Sequence, residues 1–187
     1  SFAPDLAWYV DVVLQLMTLA GDECSDGVWH RVIQVVSLNN SLQRYATITA
    51  YNSMASSTAH DRLVAMSAQL VGDYFAQTDL QPGEIVEKLI QKFKGATNST
   101  KGVIMTALAK IGGQVAGVRQ GVMGFMEANI GSANLDLQQR AFEYRAILGS
   151  AANVLQQIFT PIPPFKAKVS SLLRKVMEEQ EDSDDVY

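Results

Sequence analysis

Apolar residues recur at helical spacing along almost the entire chain, and no segment shows the strict alternation of a half-buried strand. That pattern removes sandwiches, barrels and βα units and leaves an all-α protein. Gly, Pro and Asn breaks divide it into ten predicted helices: 4–20, 26–38, 41–54, 60–74, 84–93, 98–113, 115–129, one opening at 135, 151–159 and 167–177. In the first, Pro4 suits the opening turn and Gly21 the end, and Trp8, Val12, Leu16 and Leu19 read as the stripe that packs.

Connections this short favour antiparallel neighbours, so the helices pair as hairpins. Internal similarity then separates a closed bundle from a stack. Arg62-Leu63-Val64-Ala65-Met66-Ser67-Ala68 aligns with Lys101-Gly102-Val103-Ile104-Met105-Thr106-Ala107, and Leu42-Gln43-Arg44-Tyr45-Ala46 echoes Leu137-Gln138-Gln139-Arg140-Ala141. The first pair is offset by 39 residues, close to the period of HEAT and armadillo helix pairs. The expected architecture is an α-solenoid of antiparallel helix pairs over residues 1–177.

The most heavily specified helix begins Leu135-Asp136-Leu137-Gln138-Gln139-Arg140-Ala141-Phe142-Glu143-Tyr144. Asn134 precedes it as a capping residue, and Asp136 sets negative charge in the first turn. Leu137, Ala141, Tyr144 and Leu148 make its packing stripe. Arg140 is placed to meet Asp136 four residues before it and Glu143 three after it. Trp8, Asp136, Leu137, Arg140, Ala141 and Tyr144 are therefore the residues expected to carry the architecture. Trp29, Phe125, Phe142 and Phe159 read as core rather than as a ligand box.

Residue types for chemistry are scarce. The single Cys24 has no disulfide partner, and His30 and His60 have no Cys or His at ligand spacing, so neither metal nor cofactor is expected. No nucleophile–base or paired-carboxylate spacing stands out, which argues against an enzyme. Net charge is −4, but six acids crowd into residues 178–187, leaving 13 acids against 15 bases before them. A body this near neutral lacks the basic footprint of a nucleic-acid binder. Residues 178–187 read as the acidic start of a flexible hinge. No apolar run reaches the roughly 20 residues of a membrane span. The start at Ser1, with an amphipathic helix almost at once, reads as a cut from something longer.

Three features remain. Gly113, Gly117, Gly121 and Gly124 suggest a face that admits a neighbouring helix, since a phosphate loop would need Gly-Lys-Ser/Thr after a strand. Asn98-Ser99-Thr100 reads as a helix cap. Lys88 and Lys92 share one face in a region that also holds Lys94, Lys101 and Lys110, a candidate weak face for anionic lipid beside the simpler reading as a solvated surface.

The run from Asp136 to Tyr144 resembles the acid-Leu-Gln-Gln-Arg-Ala-x-Glu-Tyr signature of clathrin adaptor large subunits. Trp8-Tyr9-Val10-Asp11-Val12, then Thr18-Leu19-Ala20-Gly21-Asp22 and Val28-Trp29-His30-Arg31-Val32, are similar to the alpha type, as are Pro163-Pro164-Phe165 and Ser170-Ser171-Leu172-Leu173 before its hinge. Gly72-Asp73-Tyr74 is similar to a family Gly-acid-aromatic run, while Phe75 departs from the family's usual glycine. The resemblance implies the C-terminal half of an adaptin trunk, a non-enzymatic scaffold in endocytosis and vesicle-mediated transport. Its implied partners are the beta large subunit and the medium and small subunits, with clathrin and accessory proteins engaged through the complex. The implied location is cytoplasmic, peripheral on the cytosolic face of plasma-membrane coated pits. A gamma-type subunit of Golgi or endosomal membranes, an unrelated helical-repeat scaffold and a lipid-binding module remain the alternatives.

Overall fold

The structure is a computed structural model that describes residues 6–160. Within them lie α1 (Leu6–Ala20), α2 (Asp26–Leu38), α3 (Asn40–Ala55), α4 (Asp61–Tyr74), α5 (Pro82–Phe93), α6 (Asn98–Gln114), α7 (Ala116–Asn129), α8 (Leu135–Leu148) and α9 (Ala152–Ile158). No strand occurs among the described residues. The expected helix 167–177 and the hinge 178–187 fall outside them.

Local chemistry explains the boundaries. Gly21, at φ +54°, ends α1 in a left-handed conformation, and its missing side chain leaves room for the His60 ring 2.6 Å from where a Cβ would stand. α5 begins at Pro82 rather than at Glu84, because the first turn needs no amide from that residue. Thr97, one residue before the expected cap, is the one whose hydroxyl accepts from the Thr100 amide at the start of α6. Asn134 caps α8 through its side-chain oxygen, 3.1 Å from the Leu137 amide.

The helices stack as pairs in two layers. In one layer α2, α4, α6 and α8 lie side by side. In the other α1 packs on α3 and α5 on α7. Side-chain hydrogen bonds joining successive pairs repeat the period: Tyr45 to Asp11 spans 34 residues, Arg62 to Asp26 spans 36, Thr97 to Asp61 spans 36, and Thr106 to Tyr144 spans 38. Contacts between α4 and α6 join start to start, at Asp61 and Thr97, and end to end, at Asp73 and Lys110. Neighbours in that layer are therefore parallel, and the chain is the expected α-solenoid.

Helix α4 holds the stack together because it is buried on both sides. Leu63, Met66, Leu70 and Tyr74 join a core with α1, α2 and α3. Val64, Ala68 and Val71 join a second core that runs through α5 and α6 to Leu155 and Phe159. The sequence match between α4 and α6 is thus a packing equivalence, with both helices sandwiched in the same layer.

Helix α1 departs from expectation. Its buried residues are Val10, Val13, Leu14 and Met17. Trp8, Val12, Leu16 and Leu19, the expected packing stripe, point outward, with Trp8 48% exposed and Leu19 85% exposed. Apolar residues occupy two faces of this helix, and spacing alone does not choose between them.

Candidate interaction surfaces

At one edge of the layer, an aspartate opens α2 and another opens α4, and each reaches the helix that follows. Asp26 accepts from Arg62 Nε at 3.0 Å and from Trp29 Nε1 at 3.3 Å. These two donors, Trp29 first, hold its carboxyl below the ordinary range. Asp61 accepts from the Thr97 amide at 2.9 Å, the Thr97 hydroxyl at 2.7 Å and the Thr100 hydroxyl at 2.6 Å. Acid near a helix start also favours the local dipole. A groove of about 550 Å3 runs past both aspartates and is lined by Trp29, His30, Arg62 and Val103. Sequence reasoning passed over this edge, although the 35-residue spacing of two helix-opening acids was available as a signal.

At the opposite edge Asp73, its side chain only 3% exposed, pairs with Lys110 and accepts from Gln69 Nε2 at 2.6 Å. Lys110 is thereby consumed internally. Lys101 lies over the Phe93 ring, 5.4 Å from its centre. The lysines of this region therefore do not make one continuous face. Lys88 and Lys92 line a cleft with Ser57, Asp61 and Gln91. Lys88 donates to Gln91 Oε1 at 3.2 Å and Lys92 to the Ser56 carbonyl. Burial, then the charge of Lys88, pushes the Lys92 ammonium below its ordinary range.

The seam between α6 and α8 gathers most of the expected architectural residues. Leu137, Ala141 and Leu148 are buried, and Tyr144 is half-buried with its hydroxyl 2.8 Å from that of Thr106. Arg140 Nε donates to Asp136 at 2.9 Å, while Arg140 Nη1 lies 3.4 Å from Thr106 Oγ1. The Asp136 bond, the leading influence, raises the already high Arg140 pKa. This pair sits over Gly102 of α6, where a Cβ would stand 3.3 Å from Arg140 Nε. The ion pair thus lies at the solvent-facing margin of the seam, with the Arg140 guanidinium against the glycine of α6. Glu143, expected beside Arg140, accepts instead from Gln139 at 2.7 Å.

Two other expectations need correction. Gly113 does face a close neighbour, the Phe159 ring, but a Cβ on Gly117, Gly121 or Gly124 would meet nothing within 4 Å. These three glycines of α7 look onto open space. Phe142, expected in the core, is 62% exposed. It is among the exposed large apolar side chains of the described residues, as Trp8 is in part.

Polar groups in these sites hold helices against one another. Among the described residues no group of three His, Cys, Asp or Glu could hold a metal ion, and no helix is long and apolar enough to cross a membrane.

Residues 1–152 match the family described as the adaptin N terminal region. The chain is 33% identical to AP-2 complex subunit alpha-2 of Arabidopsis thaliana, over 99% of this chain and 19% of that protein. It is 30% identical to AP-2 complex subunit alpha of Schizosaccharomyces pombe, over 88% of this chain and 19% of that protein. It is 24% identical to AP-1 complex subunit gamma-1 of Arabidopsis thaliana, over 87% of this chain and 20% of that protein. The chain spans about a fifth of the length of these relatives.

Proposed function

Since the chain belongs to the family of adaptin N-terminal regions, we propose that it serves as a scaffolding segment of an alpha-type clathrin adaptor large subunit. Its work is shape and docking. Stacked helix pairs give a surface that bends in small increments at each pair, and partner subunits cover the apolar area left on it. The partners in this reading are a beta large subunit with medium and small subunits, and through them clathrin. The setting is the cytosolic face of the plasma membrane during endocytosis.

The observation that carries the reading is the match over residues 1–152 on a stack of helix pairs in which Asp61 and Asp73 of α4 reach Thr97 and Lys110 of the next layer helix. Identity of 30–33% to alpha subunits, against 24% to a gamma subunit, supports the alpha type. The narrower expectation of the C-terminal half of the trunk gains no support from a match described as the N terminal region.

Affinity purification of the full-length protein that carries this chain tests the proposal. Recovery of adaptor small and medium subunits is expected, together with clathrin-positive puncta at the plasma membrane. Recovery of neither subunit would overturn it, and recovery with Golgi or endosomal puncta would replace alpha with the gamma type.

A further inference from the structure

Two half-buried lysines of α5 stand one helical turn apart with no acid to answer them. None of the ion pairs among the described residues includes Lys88 or Lys92. Like charges at that spacing weaken a helix. Lys92 lies in the last turn, where the dipole of α5 favours a cation, but Lys88 lies a turn earlier and has no such compensation. Lys110 and Lys101, by contrast, are engaged by Asp73 and by the Phe93 ring.

Both lysines line a cleft of about 440 Å3 between α5 and the 56–60 turn that joins α3 to α4. An ammonium group carries three donors. Lys92 spends one on the Ser56 carbonyl and Lys88 one on Gln91 Oε1, which leaves two on each. Ser57 and Gln91 line the same cleft and add a hydroxyl and an amide NH2. Its one carboxylate, Asp61, already accepts three hydrogen bonds from Thr97 and Thr100. Glu84 and Glu87 line an adjoining hollow with Lys88, but neither forms an ion pair with either lysine. The remaining wall is apolar, with Ala59, Val64 and Ala96.

We propose that this cleft binds a phosphate monoester, with the anion between the Lys88 and Lys92 ammonium groups and the organic portion on the apolar wall. A monoester brings close to two negative charges at neutral pH and three strong acceptor oxygens, which matches two cations with donors to spare. The cleft is larger than a bare anion needs and falls among the volumes of ordinary ligand pockets. An anion here would also relieve the repulsion from Lys88 that helps to hold the Lys92 pKa down. The site does not depend on the adaptor reading.

Titration of the full chain with inorganic phosphate at constant ionic strength, followed by amide NMR, tests this. Saturable shifts are expected at residues 56–59 and 88–96. Lys88→Gln and Lys92→Gln are each expected to weaken binding about tenfold by removing a charge-assisted donor, while Lys88→Arg retains it. Unchanged α4 and α6 amides in the phosphate-free variants show that the fold is intact. Shifts that never saturate, or that are indifferent to both Gln substitutions, would overturn the proposal. Sedimentation with vesicles then distinguishes the source. Recruitment to phosphatidylcholine vesicles carrying phosphatidic acid, a monoester, identifies a lipid headgroup if it is lost in both Gln variants. Saturable phosphate binding without recruitment identifies a soluble phosphate compound. Equal recruitment by phosphatidylserine, a diester, would overturn the assignment, since negative charge alone would then suffice.

Discussion

Gly72 of α4 lies directly beneath Ala107 of α6: a Cβ on Gly72 would stand 2.8 Å from the Ala107 Cα and 2.9 Å from its Cβ. Neither neighbour is the end of a flexible side chain, so the helices themselves would have to part. Gly72→Ala is expected to lower stability by about 1–3 kcal/mol, the usual cost of overfilling a packed core. Gly121→Ala on α7 meets nothing and removes a flexible residue from a helix interior, so it should raise stability by about 0.5–1 kcal/mol. Urea midpoints of the two variants check both signs. Equal effects would mean that α4 and α6 are further apart than described.

The two faces of α1 should respond very differently to truncation. Met17 is 1% exposed and Trp8 48%. Met17→Ala is expected to cost about 2–5 kcal/mol as a core deletion. Trp8→Ala should cost less, about 1–2 kcal/mol, since only about half of its surface is withdrawn from water. Thermal unfolding of the two variants distinguishes the assignments, and a larger loss for Trp8→Ala would restore the outer stripe to the core.

This pair also shows what was legible in the sequence. Helix existence and period were readable because caps and breakers act locally: Asn134, Gly21 and Pro82 do their work within a turn. The α8 stripe of Leu137, Ala141 and Leu148 was readable because one face combined apolar and small residues. The direction of α1 was not, because Val10, Val13, Leu14 and Met17 compete with Trp8, Val12, Leu16 and Leu19 on the same helix. Only neighbouring helices choose between them. For the same reason the roles of Asp61 and Asp73 were hidden. Their partners Thr97 and Lys110 stand 36 and 37 residues away, and no local pattern links them.

Asp73 and Lys110 form a pair that should tolerate joint replacement better than single replacement. Lys110→Met leaves an almost fully buried carboxylate with Gln69 as its remaining partner. A loss of about 3–5 kcal/mol is expected for breaking such a pair from one side. Asp73→Asn combined with Lys110→Met removes both charges, and should recover much of that loss. A double-mutant cycle by chemical denaturation measures the difference. Strictly additive losses would show that the two groups do not depend on each other.

Acid titration should expose the contribution of Asp26. Hydrogen bonds from Trp29 and Arg62 hold its carboxyl below the ordinary value, so the folded state binds its proton less readily than the unfolded state does. The stabilisation is therefore fully present above the unfolded-state pKa of about 3.9. It fades as pH falls through the lowered folded-state value, where both states become protonated. Asp26→Asn should unfold at a lower urea midpoint than the unmodified chain at pH 7, with the gap closing as pH falls below the unfolded-state value. Arg62→Met should narrow that gap at neutral pH, because it removes the bond to α4 while leaving the local one from Trp29. Midpoints measured from pH 7 to pH 2 for the four combinations settle the point. A gap independent of pH would mean that Asp26 acts through its shape alone and that its charge does not join α2 to α4.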